Sequence, residues 1–430
     1  MSTAVAVTVF VVAYALIASE KVNRVVVALA GAGLMLALGL VSAEDAFHST
    51  DFGIDWEVIF LLLGMMIVVG VMKQTGLFEY LAIWSAKKAR GQPYRIMVAL
   101  VVLTAVASAF LDNVTTVLLV APVTVLICER LELPPVPNLI ALALASNIGG
   151  TATLIGDPPN IIIASQGDLS YTDFLANLTP LVVLLVVVFI ALCRVLFRSA
   201  FTFRPELVAE LMTLEEREAI VDRRLLVQSL AVGVVATAGF ALHGVLHYDP
   251  SVVALLGAGM LLLVANRPPA VFLREVEWPT LAFFMGLFIM VGALVKVGVI
   301  QSLADAAADL TGGRLLLATT LLLWVSGLLS AVIDNIPYVA TMAPVTATLI
   351  QDFQGAGDPT VLWWSLALGA DLGGNATAIG ASANVVILGL SERAGHRISF
   401  LEFTKYGALV ALVTIALSMP YLWLRYFVLG

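Results

Sequence analysis

Apolar runs separated by short polar segments fill the chain. Residues 3–19, 25–41, 58–72, 178–193, 225–242, 251–266, 281–295 and 406–424 are uninterrupted apolar stretches, and most approach the length needed to cross about 30 Å of hydrocarbon as a helix. The first has no basic segment before it and leads into the second, so it reads as a retained helix rather than a cleaved signal peptide. Residues 96–128 are too long for one crossing: 33 positions with Asp112 as the only charge would make a straight helix of about 50 Å. Folded at Asp112-Asn113, each arm covers about 23 Å, which predicts a re-entrant hairpin over 95–128. Residues 315–350, interrupted at Asp334-Asn335, predict a second. Two short full spans joined by a polar surface turn are the alternative, because Asp-Asn is also good turn and N-cap chemistry.

The two Asp-Asn steps lie 222 positions apart, and the surrounding sequence repeats at that spacing. Trp56, Gly64, Ile67, Val69, Gly70, Gly76, Leu81 and Ala82 recur as Trp278, Gly286, Ile289, Val291, Gly292, Gly298, Leu303 and Ala304, and Ala121-Pro122-Val123-Thr124 recurs as Ala343-Pro344-Val345-Thr346. One constant offset through Trp, Asp-Asn and Ala-Pro-Val-Thr identifies a duplication.

After each hairpin comes a segment too apolar for a loop and too rich in Gly, Thr and Asn for a plain helix. The first, 137–164, contains SNIGGTATLIGDPPN, and the second, 361–390, contains ADLGGNATAIGASAN. A helix unwound within the membrane satisfies both facts, since irregular backbone is tolerated at that depth where protein or a water-filled cavity covers it. Asn147, Thr151, Thr153 and Asn160 match Asp371, Asn375, Thr377 and Asn384 at an offset of 224.

Each half then has three spans, a hairpin, a broken span and a final span, hence five crossings and about ten in all. An odd number inserts the second half upside down, which predicts an all-α polytopic protein of two inverted repeats. The first covers 1–200, the second 225–430, and the charged stretch 201–224 is a cytoplasmic linker. Residues 78–90 and 300–310 read as amphipathic interfacial helices. Placing the Lys and Arg of segments 21–24, 73–95, 130, 194–224, 267–274 and 393–405 on one face collects 19 of 22. That face is cytoplasmic by the positive-inside rule, which leaves both termini outside.

Composition agrees with a membrane protein: 61% of the 430 residues are hydrophobic and 12% charged, against roughly 25% charged in soluble domains. The net charge of −8 says little about partners and suggests no nucleic acid. Cys128 and Cys193 have no metal-ligand spacing and read as buried thiols. No His-Glu-x-x-His occurs, His243 and His247 fall in a loop, and Leu154-Ile155-Gly156-Asp157 lacks the first Gly of an intramembrane aspartyl protease motif. These features speak against an enzyme, and nothing calls for a cofactor or a structural metal. A channel would use the same polar residues without coupling.

Asp112, Asp157, Asp334 and Asp371 are carboxylates within apolar segments, and ionisable residues there mark ion or proton pathways. All four are proton-coupling candidates, because a closed site favours a neutral carboxyl and a wetted one an ionised carboxylate. Asp112, Asp334 and Asp157 also suit plain helix caps. Substrate or ion binding is assigned to Asp112, Asn113, Thr115, Asn147, Gly149, Thr151 and Thr153 in the first half, and to Asp334, Asn335, Asp371, Gly373, Asn375 and Thr377 in the second. No Lys or Arg lies in these motifs, so the chemistry favours a cation, a proton or a small neutral polyol-like solute over a multiply charged anion.

SNIGGTATLIGDPPN and the two Asp-Asn steps resemble the ion transporter superfamily, which includes arsenite permeases, sodium/proton antiporters, the melanosomal P protein and sodium-coupled dicarboxylate carriers. The dicarboxylate branch carries Ser-Asn-Thr at the corresponding tips, whereas this chain has Asp-Asn-Val-Thr and Asp-Asn-Ile-Pro. Gly-Asp-Pro-Pro-Asn is most similar to the arsenite permease and P-protein branch. That resemblance implies a secondary transporter of the bacterial inner membrane, exporting arsenite or antimonite against inward protons, with sodium/proton antiport as the alternative. It also implies a cytoplasmic ATPase partner and a homodimer.

Overall fold

The computed structural model describes residues 2–19, 21–49, 52–213, 215–246, 248–265, 268–355 and 357–429. Arg267 and His247, both used in the sequence reading, lie outside them. Regular structure among the described residues is helical throughout. Six helices are long and apolar enough to cross a bilayer: Trp56–Gln74, Asn113–Arg130, Thr179–Leu196, Arg223–His243, Trp278–Lys296 and Phe400–Val428. Four shorter apolar helices, Thr3–Ala18, Arg24–Ala37, Pro93–Ser108 and Pro250–Val264, accompany them.

Proline and glycine set many of the boundaries. Helices begin at Pro93, Pro135, Pro158 and Pro250, where the fixed φ suits the first turn and the missing N–H has no helical partner to lose. The helices Leu77–Lys88 and Val299–Thr311, of which the second is clearly amphipathic, start after Gly76 and Gly298, which have φ of 77° and 78°. Val299–Thr311 meets the following Leu315–Ser330 helix at a bend of 119°. Gly76 also accommodates the linker, because an added Cβ would lie 1.7 Å from the Ala219 carbonyl oxygen. Lys87 pairs with Glu216 of the linker at 2.6 Å, and this contact holds the Glu216 carboxyl below its ordinary range. The linker is thus docked, through short helical turns at Pro205–Leu207, Val208–Thr213 and Glu216–Ala219. His243, expected in a loop, lies instead on the Arg223–Leu246 helix; a lone histidine carries only a small helix-propensity penalty, so the apolar run continues through it.

The repeated glycines mark close helix crossings. Trp56–Gln74 packs on Pro250–Val264, and Trp278–Lys296 packs on Arg24–Ala37. A Cβ on Gly64 would lie 2.6 Å from the Ala254 backbone, and one on Gly286 would lie 2.8 Å from that of Ala28. Each half therefore lends a span to the other, and the surface so buried ties the halves together. A second matched pairing sets Pro93–Ser108 against Pro135–Gly150 and Leu315–Ser330 against Val361–Gly373. These two pairs carry the Asp-Asn turns and the glycine-rich breaks into the centre of the molecule.

Candidate functional site

Two helix pairs form the tips. Pro93–Ser108 ends, the chain turns through 109–112, and Asn113–Arg130 begins; the second pair is Leu315–Ser330, 331–334 and Asn335–Asp352. At the start of a helix the first N–H groups lack intrahelical acceptors. Asp112 supplies one, its Oδ1 accepting from Thr115 N at 2.8 Å, and Asp334 does the same for Ile336 N at 3.0 Å. The capping reading thus holds for these two aspartates. The next residue in each tip, Asn113 or Asn335, is buried to 3% or 2% exposure, which sets the start of each following helix inside the protein.

The breaks are built in parallel. Pro135–Gly150 stops, 151–157 is irregular, and Pro158–Gly167 resumes; Val361–Gly373 passes through the short turn Gly374–Ala376 before Ser382–Arg393. Thr153 Oγ1 donates to the Ala109 carbonyl and Thr377 Oγ1 to the Ala331 carbonyl, each at 2.5 Å, so a break residue is tied to a tip in both halves. The amide of Asn160 spans its break by donating to Gly150 O and Thr153 O, and Asn384 does so to Gly374 O and Thr377 O. These bonds supply donors to backbone carbonyls that the interrupted helices leave open. Gly149 and Gly373 serve packing: a Cβ on either would fall 2.2 Å from Ala105 O or 2.5 Å from Gly327 O.

Asp157 joins the two halves. It occupies the N-cap position of Pro158–Gly167 without making a side-chain cap bond. Its fully buried carboxylate instead accepts from Asn113 Nδ2 at 2.9 Å and from Asn335 Nδ2 at 3.3 Å. Both tips therefore converge on one carboxylate. Asn147 continues the network: its Oδ1 accepts from Asn113 at 3.2 Å, and its Nδ2 donates to Asn375 Oδ1 at 3.0 Å and Asn384 Oδ1 at 3.1 Å.

A cavity of about 40 Å³ opens beside this junction, lined by Asp112, Asn113, Asp157, Asn335, Arg24, Glu277, Thr280 and Ser382 among others. Arg24 corrects the expectation that the site lacks a fixed cation. It stands at the start of a 14-residue helix, about 21 Å long and shorter than the hydrocarbon core. From there its Nη1 reaches Asp334 Oδ2 at 3.3 Å and Ser382 Oγ at 2.8 Å. Ser382 also donates to the same Asp334 oxygen at 2.7 Å. The guanidinium is thereby paired, and the lining retains the carboxylates of Asp112, Asp157 and Glu277.

Of the residues assigned from sequence, Asp112, Asn113, Asp157 and Asn335 line the cavity, and Asp334 borders it through Arg24. Thr115 contributes its backbone to a cap, while Gly149, Gly373, Thr153 and Thr377 hold tips and breaks together. Asn147, Thr151, Asp371 and Asn375 are buried between the two breaks. Sequence reasoning missed Arg24, Glu277, Thr280 and Ser382. Arg24 resembled an ordinary positive-inside charge, and Glu277 a flank of the repeated Trp278; Ser382 stood in the quoted glycine-rich stretch without being singled out. Cys128 and Cys193 are free and buried away from the cavity lining.

Residues 14–369 match the citrate transporter family. An uncharacterized transporter of Mycobacterium bovis is 58% identical over 425 residues, which covers 99% of each chain. The P protein of Mus musculus is 34% identical over 495 positions, covering 97% of this chain and 59% of that protein. Among solved structures, the YdaH transporter of Alcanivorax borkumensis shares the fold, with a TM-score of 0.58 and 15% identity over 94% of this chain and 97% of that one.

Proposed function

The chain belongs to the citrate transporter family of the ion transporter superfamily and is an integral membrane transporter, and on that footing we propose that it exports a small neutral polyhydroxy solute of the arsenite type in exchange for protons. The observation that carries this reading is the cavity where both tips share Asp157. Its volume of about 40 Å³ suits about three water molecules, at roughly 10–15 Å³ each. A space of that order favours a compact solute. The lining offers three carboxylates and four neutral hydrogen-bonding side chains against one guanidinium already held by Asp334. Such a surface accepts hydrogen bonds from hydroxyls and repels a tricarboxylate. The same surplus of carboxylates favours sodium/proton exchange as the second reading.

In this reading the two halves are inverted repeats with about ten crossings, the tips are re-entrant, and the cavity is the substrate site of an alternating-access cycle. Asp112, Asn113, Asp157 and Asn335 contact the solute, Arg24 and Asp334 close its side, and Asn147, Thr151, Asp371 and Asn375 form the bridge behind it. Recurrence of the tip and break bonds at fixed offsets supports the repeat.

In proteoliposomes, proton flux should follow added arsenite or antimonite and ignore succinate and citrate. Proton flux driven by sodium alone would replace this reading with sodium/proton exchange, and citrate uptake would overturn the size and charge argument. Topology has its own check. Cysteine in H48C should react with an impermeant thiol reagent from outside, and cysteine in E218C only from inside. Labelling of both from one side would end the inverted arrangement.

A further inference from the structure

The internal repeat is broken at one buried position where an amide in the first half meets a carboxyl in the second. Asn147 matches Asp371 at the 224 offset, and the residues facing each are matched as well. Asn147 donates its two amide hydrogens to Asn375 Oδ1 and Asn384 Oδ1. Asp371 stands beside Thr151 and Asn160, the counterparts of Asn375 and Asn384. Asp371 is 0% exposed, and although Thr151 and Asn160 lie close enough to act on it, neither of its carboxyl oxygens has a hydrogen-bond partner of good geometry among the described residues.

Counting donors shows why. The Thr151 hydroxyl gives its hydrogen to Asn147 O at 2.9 Å. Asn160 Nδ2 gives both of its hydrogens to Gly150 O and Thr153 O, leaving Oδ1, an acceptor without a partner, as its remaining polar atom. Asn375 Nδ2 is also without a partner and does not reach the carboxyl. An ionised, acceptor-only carboxylate here would be a buried charge with no compensating bond, which costs several kcal/mol. A neutral carboxyl removes the conflict, because its O–H is a donor where Asn160 Oδ1 lacks one. It then performs for Asn160 what the Asn147 amide performs for Asn384.

We propose that Asp371 carries the exchangeable proton of the transport cycle, holding it in this closed arrangement as a hydrogen bond toward Asn160 across the two broken helices. The proposal deepens the coupled-transport reading above and rests on it. Its neighbours permit the assignment. Asp157 and Asp371 act on one another across the junction, with Asp334 and Asp112 also near Asp157, and of the two central carboxyls Asp157 has the side-chain donors, Asn113 and Asn335, that stabilise a charge. The Leu315–Ser330 and Pro135–Gly150 helices carry no ionisable residue. On Asn335–Asp352, Tyr338 is engaged with Ser326 and Asp352 ends the helix. On Phe400–Trp423, Glu402, Lys405 and Tyr406 occupy the first two turns, and Tyr421, near its last residue, bonds Asn177 O. When the broken helices part and water enters, the Asp371 O–H bond breaks and the proton passes to water. The carboxylate that remains no longer donates across the interface, so proton loss and helix separation favour one another.

Infrared difference spectroscopy of the wild-type protein in lipid vesicles reads the proton directly. The carbonyl band of a buried neutral carboxyl is expected in the wild type, shifted in heavy water, and absent in Asp371→Asn. A wild type without the band overturns the proposal, as does a band that persists in Asp371→Asn. Loss of the wild-type band on adding sodium at constant pH would put a sodium ion on Asp371 and also overturn it. In the same vesicles, Asp371→Asn should drive no uphill uptake from a pH gradient, while solute-for-solute counterflow, which needs no net proton movement, stays detectable because the amide keeps a donor toward Asn160. A coupled wild type with an equally coupled Asp371→Asn sinks the inference and leaves the transport reading standing. An uncoupled wild type sinks the reading itself.

Discussion

Asp157→Ala is expected to abolish transport and to lower stability more than any other change at the cavity. The substitution leaves the buried Asn335 amide without its acceptor and Asn113 with Asn147 Oδ1 alone, and an unsatisfied buried polar group costs about 1–3 kcal/mol. Loss of the packed carboxyl adds to this, and even about 1–3 kcal/mol is large beside a typical total of roughly 5–15 kcal/mol. Asp157→Asn keeps a carbonyl acceptor and removes the charge, so it should retain most of the stability while changing solute recognition. Thermal unfolding in detergent separates the two variants, and solute flux in vesicles reads the consequence. If Asp157→Ala melts with the wild type and transports normally, the two tips are not held by this carboxylate.

Gly149→Ala and Gly373→Ala form the second test, and their effects should match because the crossings match. The added methyl would lie 2.2 Å from Ala105 O at the first and 2.5 Å from Gly327 O at the second, both against backbone. Backbone cannot swing aside as a flexible side chain can, so the tip helix must move away from the broken helix. Overpacking of this kind costs about 1–3 kcal/mol or more. It also shifts the Thr153–Ala109 and Thr377–Ala331 bonds that register each tip on its break. Transport is expected to fall with folded yield. Gly33→Ala and Gly259→Ala, where the new methyl meets open space, are the controls and should stay within about 0.5 kcal/mol of the wild type. Equal behaviour of all four variants would mean that close approach at the breaks is not required.

The sequence made some parts of this site readable and concealed others. Asp112-Asn113 and Asp334-Asn335 announce helix starts through local chemistry, and both aspartates cap as their position suggests. Asp157 precedes a proline pair and looks equally like a cap, yet its carboxylate turns to the tips. A cap is decided within one helical turn, whereas the Asp157–Asn335 contact closes 178 positions. Arg24 is the sharper case. A basic residue before an apolar run has the appearance of a surface anchor, and only the packing of Arg24–Ala37 on Trp278–Lys296 brings it to Asp334, 310 positions away.

By itself the sequence determined an all-helical membrane transporter, the duplication, the two tips and the two breaks. The spans, tips and breaks rest on local properties, namely apolar length, the refusal of Pro and Gly to continue a helix, and a short polar side chain that serves a free N–H, whereas the duplication rests on a constant sequence offset and the transporter class on motif resemblance. The tertiary structure alone decided which polar groups share partners. It joined both tips through Asp157, paired Arg24 with Asp334, and left Asp371 without a donor where Asn147 has two acceptors. The physical reason is that burial prices a polar group by the partners around it. Those partners come from the other half of the chain, so no local pattern carries the information.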